Sequence, residues 1–337
     1  MSTVGSLALT LSDYRKRMAP DGTMDYIIEA ASQSNPVMKD MRWMEGNLPT
    51  GIQTTQRMSV PTPSIRIINQ GVSATKSSTK QINDTCCMLE DRSEVDVKLI
   101  GLQKDKEAFR KSEDSAHVEG FGQKIADMLF YGDIDADPDT FNGLMVRYNT
   151  LTGAKNSPGY QVVSAGTAGS GTNASAYLVG WGEHSTAGIY PANTVAGMQM
   201  QDLGENDAVD SAGRKFRALT TLFDWNVGLT VRDIRCNSRV ANINVASMPS
   251  TDATKLALME KFIYAKNTIR NLEAPNMSFV WYVPDTIYTF LECYLINKNN
   301  VHVTREELMG SMPLIRVAGI PVRKLDCLKE TEAAVTA

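Results

Sequence analysis

Between Lys104 and Leu144 the apolar positions fall in steps of three and four. Val118, Phe121, Ile125, Met128 and Leu129 share one helical face, and the half before them is polar. Tyr131-Gly132-Asp133, with Pro138 close behind, supplies the stop. Roughly 28 helical residues would span about 40 Å, longer than a compact small domain needs. Residues 53–90 have another character. Thr, Ser, Gln, Val and Ile dominate, Gly and Pro punctuate, and helical period disappears. The pattern predicts a long β-hairpin or extended loop that is polar on both faces. Such a ribbon has little core of its own and needs a neighbour to be ordered.

The remaining pattern predicts an α+β chain. Residues 1–50 read as interrupted helix: Ser12 caps Asp13–Met18, Asp25 caps Tyr26–Ser34, and Asn35-Pro36 breaks the run. Met38, Met41, Trp43 and Met44 form an apolar cluster, and a short helix over Ser93–Gly101 leads into the long one. Residues 145–250 are β-rich. A flexible loop is expected over Gly153–Asn173, with strands at Ala176–Gly182, Thr186–Tyr190, Phe216–Phe223 and Trp225–Arg232. Gly228 and Trp225-Asn226 suggest a bulge or tight crossing. Further on, Asp252 is expected to cap a helix through Asn271, with Leu256, Met259, Phe262, Ile263 and Lys266 on its period. Met277–Val283 reads as a buried strand, Pro284 as the N1 residue of a helix over Asp285–Asn297, and residues 315–325 as a closing strand pair. No internal repeat is visible.

Composition narrows the function. A length of 337 residues allows two or three folding units. With 42% hydrophobic and 21% charged residues, general disorder is excluded. The net charge of −4 argues against nucleic-acid binding as the main task, and Arg15-Lys16-Arg17 reads as a solvated helix face. The start has no basic stretch followed by an apolar run, so no secretory signal is expected, and no run approaches a membrane-spanning length. Five cysteines (Cys86, Cys87, Cys236, Cys293 and Cys327) without a C-x-x-C spacing read as reduced thiols of a protein folded inside a cell.

Candidate chemistry is weak. Asp133, Asp135 and Asp137 match the opening of a calcium loop, but Pro138 stands where the sharp turn needs Gly, and Leu144 where a bidentate Glu belongs. Residues 166–171 (Gly-Thr-Ala-Gly-Ser-Gly) lack the Gly-Lys-Ser/Thr of a phosphate loop. His117, His184 and His302 are widely spaced and show no metal-ligand pattern. Glu183-His184-Ser185 holds three catalytic residue types, but adjacency in sequence is not triad geometry. No catalytic, cofactor-binding or metal-binding residue is assigned, and no enzyme is expected.

The order of these features resembles the major capsid proteins of tailed bacteriophages, with their Hong Kong 97-like fold. The carriers are the long helix ending in Phe130-Tyr131-Gly132, then Pro138 and Phe141-Asn142-Gly143-Leu144, followed by the β-rich middle and the closing stretch Val317–Arg323. Residues 43–51 (Trp-Met-Glu-Gly-Asn-Leu-Pro-Thr-Gly) with Asn69-Gln70-Gly71-Val72 look most like the podophage branch, some members of which connect the same elements in permuted order. The resemblance implies an N-terminal arm (1–50), an E-loop (51–92), a spine-helix region of the peripheral domain (93–144), a β-rich peripheral and insertion region (145–250) and an axial domain (251–337). It also implies hexamers and pentamers in an icosahedral virion shell, assembled in the host bacterial cytoplasm around double-stranded DNA that is held without sequence-specific binding. A separate scaffolding protein is expected, because only about 50 residues precede the E-loop, too few for a coiled-coil scaffold. A portal and a cement protein are further partners of such shells, and no membrane is. Some relatives cross-link subunits through Lys and Asn beside a buried Glu. Lys76 and Lys80 lie near the hairpin, but no such bond is expected. The rival readings are a tail or decoration protein, and a cytoplasmic hydrolase built around His184 or His302.

Overall fold

Among the described residues, most of the elements that alternation and steps of three or four predict are present. The structure is a computed structural model and describes residues 33, 35–102, 105–166, 169, 171–210, 212–270, 272, 276–295, 303–306 and 314–336. The helices expected at Asp13–Met18 and Tyr26–Ser34 fall essentially outside the described residues, as does the 15–17 basic cluster. In chain order the elements are α1 (Val37–Asp40), β1 (Trp43–Glu45), β2 (Gly51–Ser59), β3 (Ser78–Asp96), α2 (Val97–Gly101), α3 (Lys106–Tyr131), α4 (Leu144–Arg147), β4 (Val162–Ser164), β5 (Asn173–Trp181) and β6 (Thr186–Tyr190). They continue with β7 (Gln199–Val209), β8 (Lys215–Val231), β9 (Ser238–Asn244), α5 (Asp252–Thr268), β10 (Ser278–Val283), α6 (Asp285–Leu295), β11 (Val303–Glu306), β12 (Leu314–Val317) and β13 (Ile320–Lys324). The chain forms two compact units. Among the described residues, the first holds Met88–Ile125 and Val195–Val227; the second is drawn from Ser34–Cys87, Ala126–Thr194 and Gly228–Ala337.

In the first unit, β3 runs on to Asp96, so helix begins later than the expected Ser93. Ser93 and Val95 are buried at strand alternation, and the Asp96 carboxylate then caps α2 by accepting from Lys98 N–H at 2.8 Å. Val95, Leu99, Ile100 and Phe109 form a small core with Leu219 packed on it. Phe109 is fully buried, which corrects the reading of a wholly polar first half of α3. Val118 was placed on the apolar face but is exposed; Phe121 keeps that face and packs its ring 6.4 Å from Phe223. At 26 residues α3 is about 39 Å long. Strands β7 and β8 pair from Gln199↔Asp224 to Val209↔Lys215, with a bulge at Asp202/Gly204.

β8 is one strand where two were expected. Phe223, Val227, Leu229 and Val231 are buried at every second position on either side of Trp225, so alternation carries through Asp224–Asn226 and the strand is continuous from Lys215 to Val231. Gly228 pairs in its ladder with β6, and a Cβ there would lie 2.6 Å from the Thr85 carbonyl oxygen; it marks a close approach, not a break.

The second unit is built on β5, buried along its whole length. It runs antiparallel to β10 (Trp281↔Leu178) and β9, and β10 runs parallel to β13 (Trp281↔Val322). β12 returns to β13 through Ala318 and Gly319, both at positive φ (51° and 85°), as a two-residue primed turn requires. Helices α5 and α6 cover this sheet and bury Met259, Phe262, Ile287 and Leu291 against Trp281 and Val283. Each such side chain contributes about 1.5–3 kcal/mol of apolar burial. Helix α5 differs from expectation at both ends. Thr251 is the cap, in a reciprocal box with Thr254, and Asp252 falls one place inside, where its charge favours the helix N-terminus. The helix stops at Thr268, and Leu258 and Ala265 take the buried face that Leu256 was expected to share. Pro284 sits one position earlier than the N1 expected of it, its carbonyl accepting from Tyr288 N–H at 3.0 Å. Within Gly153–Asn173, Pro158–Gln161 is a 3₁₀ turn and β4 pairs with β9, so that part of the expected flexible loop is ordered. Among the described residues no helix is long and apolar enough to cross a membrane.

Candidate functional site

The most unusual surface is the hairpin. β2 and β3 pair from Gly51↔Thr85 to Ser59↔Ser78, as the polar ribbon pattern predicts. Its foot is the 43–51 segment. The Asn47 side chain accepts from Gln53 N–H at 2.7 Å and donates to Gln53 C=O at 2.8 Å. Asp84 anchors the base: it pairs with Arg147 at 2.8 Å and accepts from the Thr230 hydroxyl at 2.7 Å, while Arg147 also donates to the carbonyls of Asn142 and Leu229. Beyond the paired strands, residues 60–77 are exposed throughout. Ile65 is 94% and Ile68 89% exposed, and Val60 and Ile67 also face solvent. Asn69 (φ 68°) takes the i+2 place of a turn closed by Gln70 N–H to Ile67 C=O at 3.1 Å. Exposed isoleucines grouped near the tip of a long ribbon are the kind of apolar surface that marks interaction sites.

α3 ends at two close-packed glycines. Gly143 N–H donates to Gly132 C=O at 2.8 Å, and a Cβ on Gly132 would meet the Phe141 carbonyl oxygen at 2.3 Å. This is why the stop reads Tyr-Gly-Asp and the turn ends Phe-Asn-Gly. Between them, Asp133 and Asp137 each accept a backbone N–H two residues on, from Asp135 and Asp139. Those bonds shape a turn.

The chain's last residues are clasped into the second unit. Glu332 and Arg239, both essentially buried, pair at 2.8 Å. Glu332 also accepts from Tyr131 at 2.8 Å, from Tyr177 at 3.2 Å and from the Ser175 hydroxyl, and Arg239 donates to the Tyr148 carbonyl at 2.8 Å. Burial raises the pKa of Tyr131 and Tyr177 well above the usual phenol, so both remain donors. Val335 N–H donates to the Asn242 side chain at 2.8 Å. The clasp joins α3's end, β5, β9 and the C-terminal strap.

The residues weighed for catalysis do not converge. Ser185 is buried with its hydroxyl donated to Gly180 C=O at 2.8 Å, while its neighbour His184 is exposed. His117 pairs with Asp91 at 2.6 Å and stacks on Phe223, and His302 lies outside the described residues. In the glycine-rich stretch, residues 167, 168 and 170 lie outside the described residues, and Gly169 N–H is already donated to Asn173 at 2.7 Å. All five cysteines are free thiols. Burial pushes Cys86, Cys236 and Cys327 up to about 12, and Cys293 is exposed. Sequence reasoning missed the anchor at Asp84, the Glu332–Arg239 clasp and a cleft beside the hairpin.

Comparison with known proteins fits this picture. A family model described as major capsid protein GP7 matches residues 19–336. The near-atomic cryo-EM structure of bacteriophage Epsilon15 contains a chain that is 29% identical over 100% of both chains, with a TM-score of 0.74. A chain of the bacteriophage JBD30 capsid is 10% identical, with 92% of this chain and 99% of that one covered and a TM-score of 0.51; at that identity it shows the fold alone. No curated protein matches.

Proposed function

The chain belongs to the major capsid protein GP7 family, and from that premise we propose how its parts serve a shell. As a major capsid protein it is a structural component of the phage virion and not an enzyme. The tail, decoration and hydrolase readings give way to that assignment. Copies are read as closing into hexamers and pentamers of an icosahedral head, assembled in the host cytoplasm around double-stranded DNA. Residues 51–92 serve as the E-loop, 93–144 as the spine region, 145–250 as the β-rich peripheral region and 251–337 as the axial domain.

One observation carries this reading: the run of exposed residues 60–77 with isoleucines at its tip, held out on a foot fixed by Asn47 and Asp84. Contact with a neighbouring copy would bury these isoleucines and stabilise the ribbon. The acidic balance suits a container, since a subunit that neutralised many phosphates would hold the genome fast. A separate scaffolding protein and a portal complete the assembly in this reading. A solution mass measurement tests it. Expressed with its partner proteins, the chain should give capsomers or megadalton particles; a small closed oligomer as the sole species would overturn the proposal.

A further inference from the structure

Beside the hairpin lies a cleft of ≈ 880 Å³. One wall is the outer part of β2, from Thr54 to Ser59, with Val60 just beyond it; the other is the turn between β8 and β9, with His184 and Arg270. Four guanidiniums line it (Arg57, Arg232, Arg235 and Arg270) against one carboxylate, Asp233. That carboxylate is already taken: Arg235 holds it with contacts of 2.8 and 2.7 Å. Burial works to raise the Asp233 pKa, but the Arg235 hydrogen bonds outweigh it and hold the group below the usual range. Arg57, Arg232 and Arg270 have no ion-pair partner among the described residues, and Arg232 Nε is buried without any hydrogen-bond acceptor. Arg232 Nη1 donates to the Glu183 carbonyl at 3.0 Å, so Arg57 and Arg270, both exposed, are the guanidiniums open to a partner in the cleft. Its volume is near the top of the 300–1,000 Å³ range typical of ligand pockets, room for several side chains and not one ion.

The same chain carries the matching charge elsewhere. The turn after α3 presents Asp133, Asp135, Asp137 and Asp139 within seven residues, the last three exposed. None has a cationic partner among the described residues, and none lines the cleft of its own chain. We propose that the acidic turn Asp133–Asp139 of one copy docks into the arginine cleft of a second copy, with carboxylates meeting Arg57 and Arg270. The docking rests on the multi-copy shell reading and adds a specific, charge-matched contact to it. Arginine–carboxylate pairs are directional, so this contact would fix how neighbouring subunits are registered.

A charge swap tests it. Wild-type chain expressed with its partner proteins is the control; if it forms no particles, the shell reading itself fails. Asp135→Lys with Asp137→Lys should cut particle yield about tenfold, the effect of roughly 1.4 kcal/mol lost in all at one docked turn, and Arg57→Glu with Arg270→Glu should do the same. All four together should restore yield to within about twofold, because coupled partners are not additive. Thermal melting of unassembled subunits should be unchanged for the arginine variants, whose altered side chains are exposed, and should fall only slightly for the aspartate variants, because Asp137→Lys also removes the acceptor for Asp139 N–H; the four-fold variant keeps that small loss while regaining yield. Independently, Arg57→Cys combined with Asp137→Cys in assembled particles should give disulfide-linked multimers on non-reducing gels, where either single variant gives monomers. The inference is overturned if the four-fold variant assembles no better than its parents. It is overturned equally if the disulfide forms within one chain or not at all in intact particles, or if the cleft arginines bind duplex DNA while assembly ignores their reversal.

Discussion

Removing the Glu332 carboxylate should loosen the second unit more than almost any other single change. Glu332→Ala leaves the Arg239 guanidinium buried without its partner, and Arg239 is only 1% exposed. Breaking a buried pair from one side costs about 3–5 kcal/mol. The hydroxyls of Tyr131, Tyr177 and Ser175 lose their acceptor as well, which adds to the loss. Urea unfolding of the unassembled subunit reads this directly. Trp181 and Trp281 are both buried in the same unit and report its opening by fluorescence. With a urea slope of about 3 kcal/mol per M, a loss of 3–5 kcal/mol moves the midpoint down by about 1–1.7 M. Arg239→Met combined with Glu332→Leu removes both charges and should recover about 2 kcal/mol of the single-variant loss, leaving the orphaned hydroxyls as the residue. A midpoint shift below about 0.3 M for Glu332→Ala, or a double variant no milder than the single, would refute the view that this pair clasps the C-terminal strap.

Three further outcomes follow from the packing. Ile125→Asp places a carboxylate at a fully buried position of α3 and should cost several kcal/mol, enough to abolish particles, whereas exposed Lys111→Ala should leave yield and melting nearly unchanged; normal shells from Ile125→Asp would remove α3 from the core. Phe109→Ala should destabilise by about 3–5 kcal/mol, and a near-neutral result would restore the polar reading of the helix's first half. Thiol labelling of the native subunit near pH 8 should modify Cys293 first and leave Cys86, Cys236 and Cys327 slow. Burial pushes these three thiols up to about 12, above the ordinary thiol range, so the protonated thiols support the fold fully below about pH 9 and lose that contribution as pH rises towards 12. A smaller alkaline loss in Cys236→Ala is the check, and uniform labelling of all five at pH 8 would contradict the burial.

The elements legible in the sequence were those whose side chains obey one period. Thr186–Tyr190 appears with its expected bounds, and α3 ends at Tyr131 as Gly132 dictates. The hairpin was legible because polar ribbons leave no helical trace. β7 was missed because nearly every residue from Gln199 to Val209 is exposed; only its backbone pairing with β8 defines it. β9 was missed for the opposite reason. Ser238, Arg239 and Asn242 look like loop residues, and they are buried because Gln161, Glu332 and Val335 satisfy them. The clasp and the arginine cleft were illegible because their members lie far apart in sequence: Arg239 and Glu332 are separated by 93 positions. No local pattern encodes such a meeting.

Electron cryo-microscopy of particles assembled from this chain tests the central claim most directly. The account predicts closed icosahedral shells in which residues 60–77 of each copy lie against a neighbour, with Ile65 and Ile68 covered. Shells in which that hairpin projects into solvent, or preparations that form no shells beside the partner proteins, would contradict it.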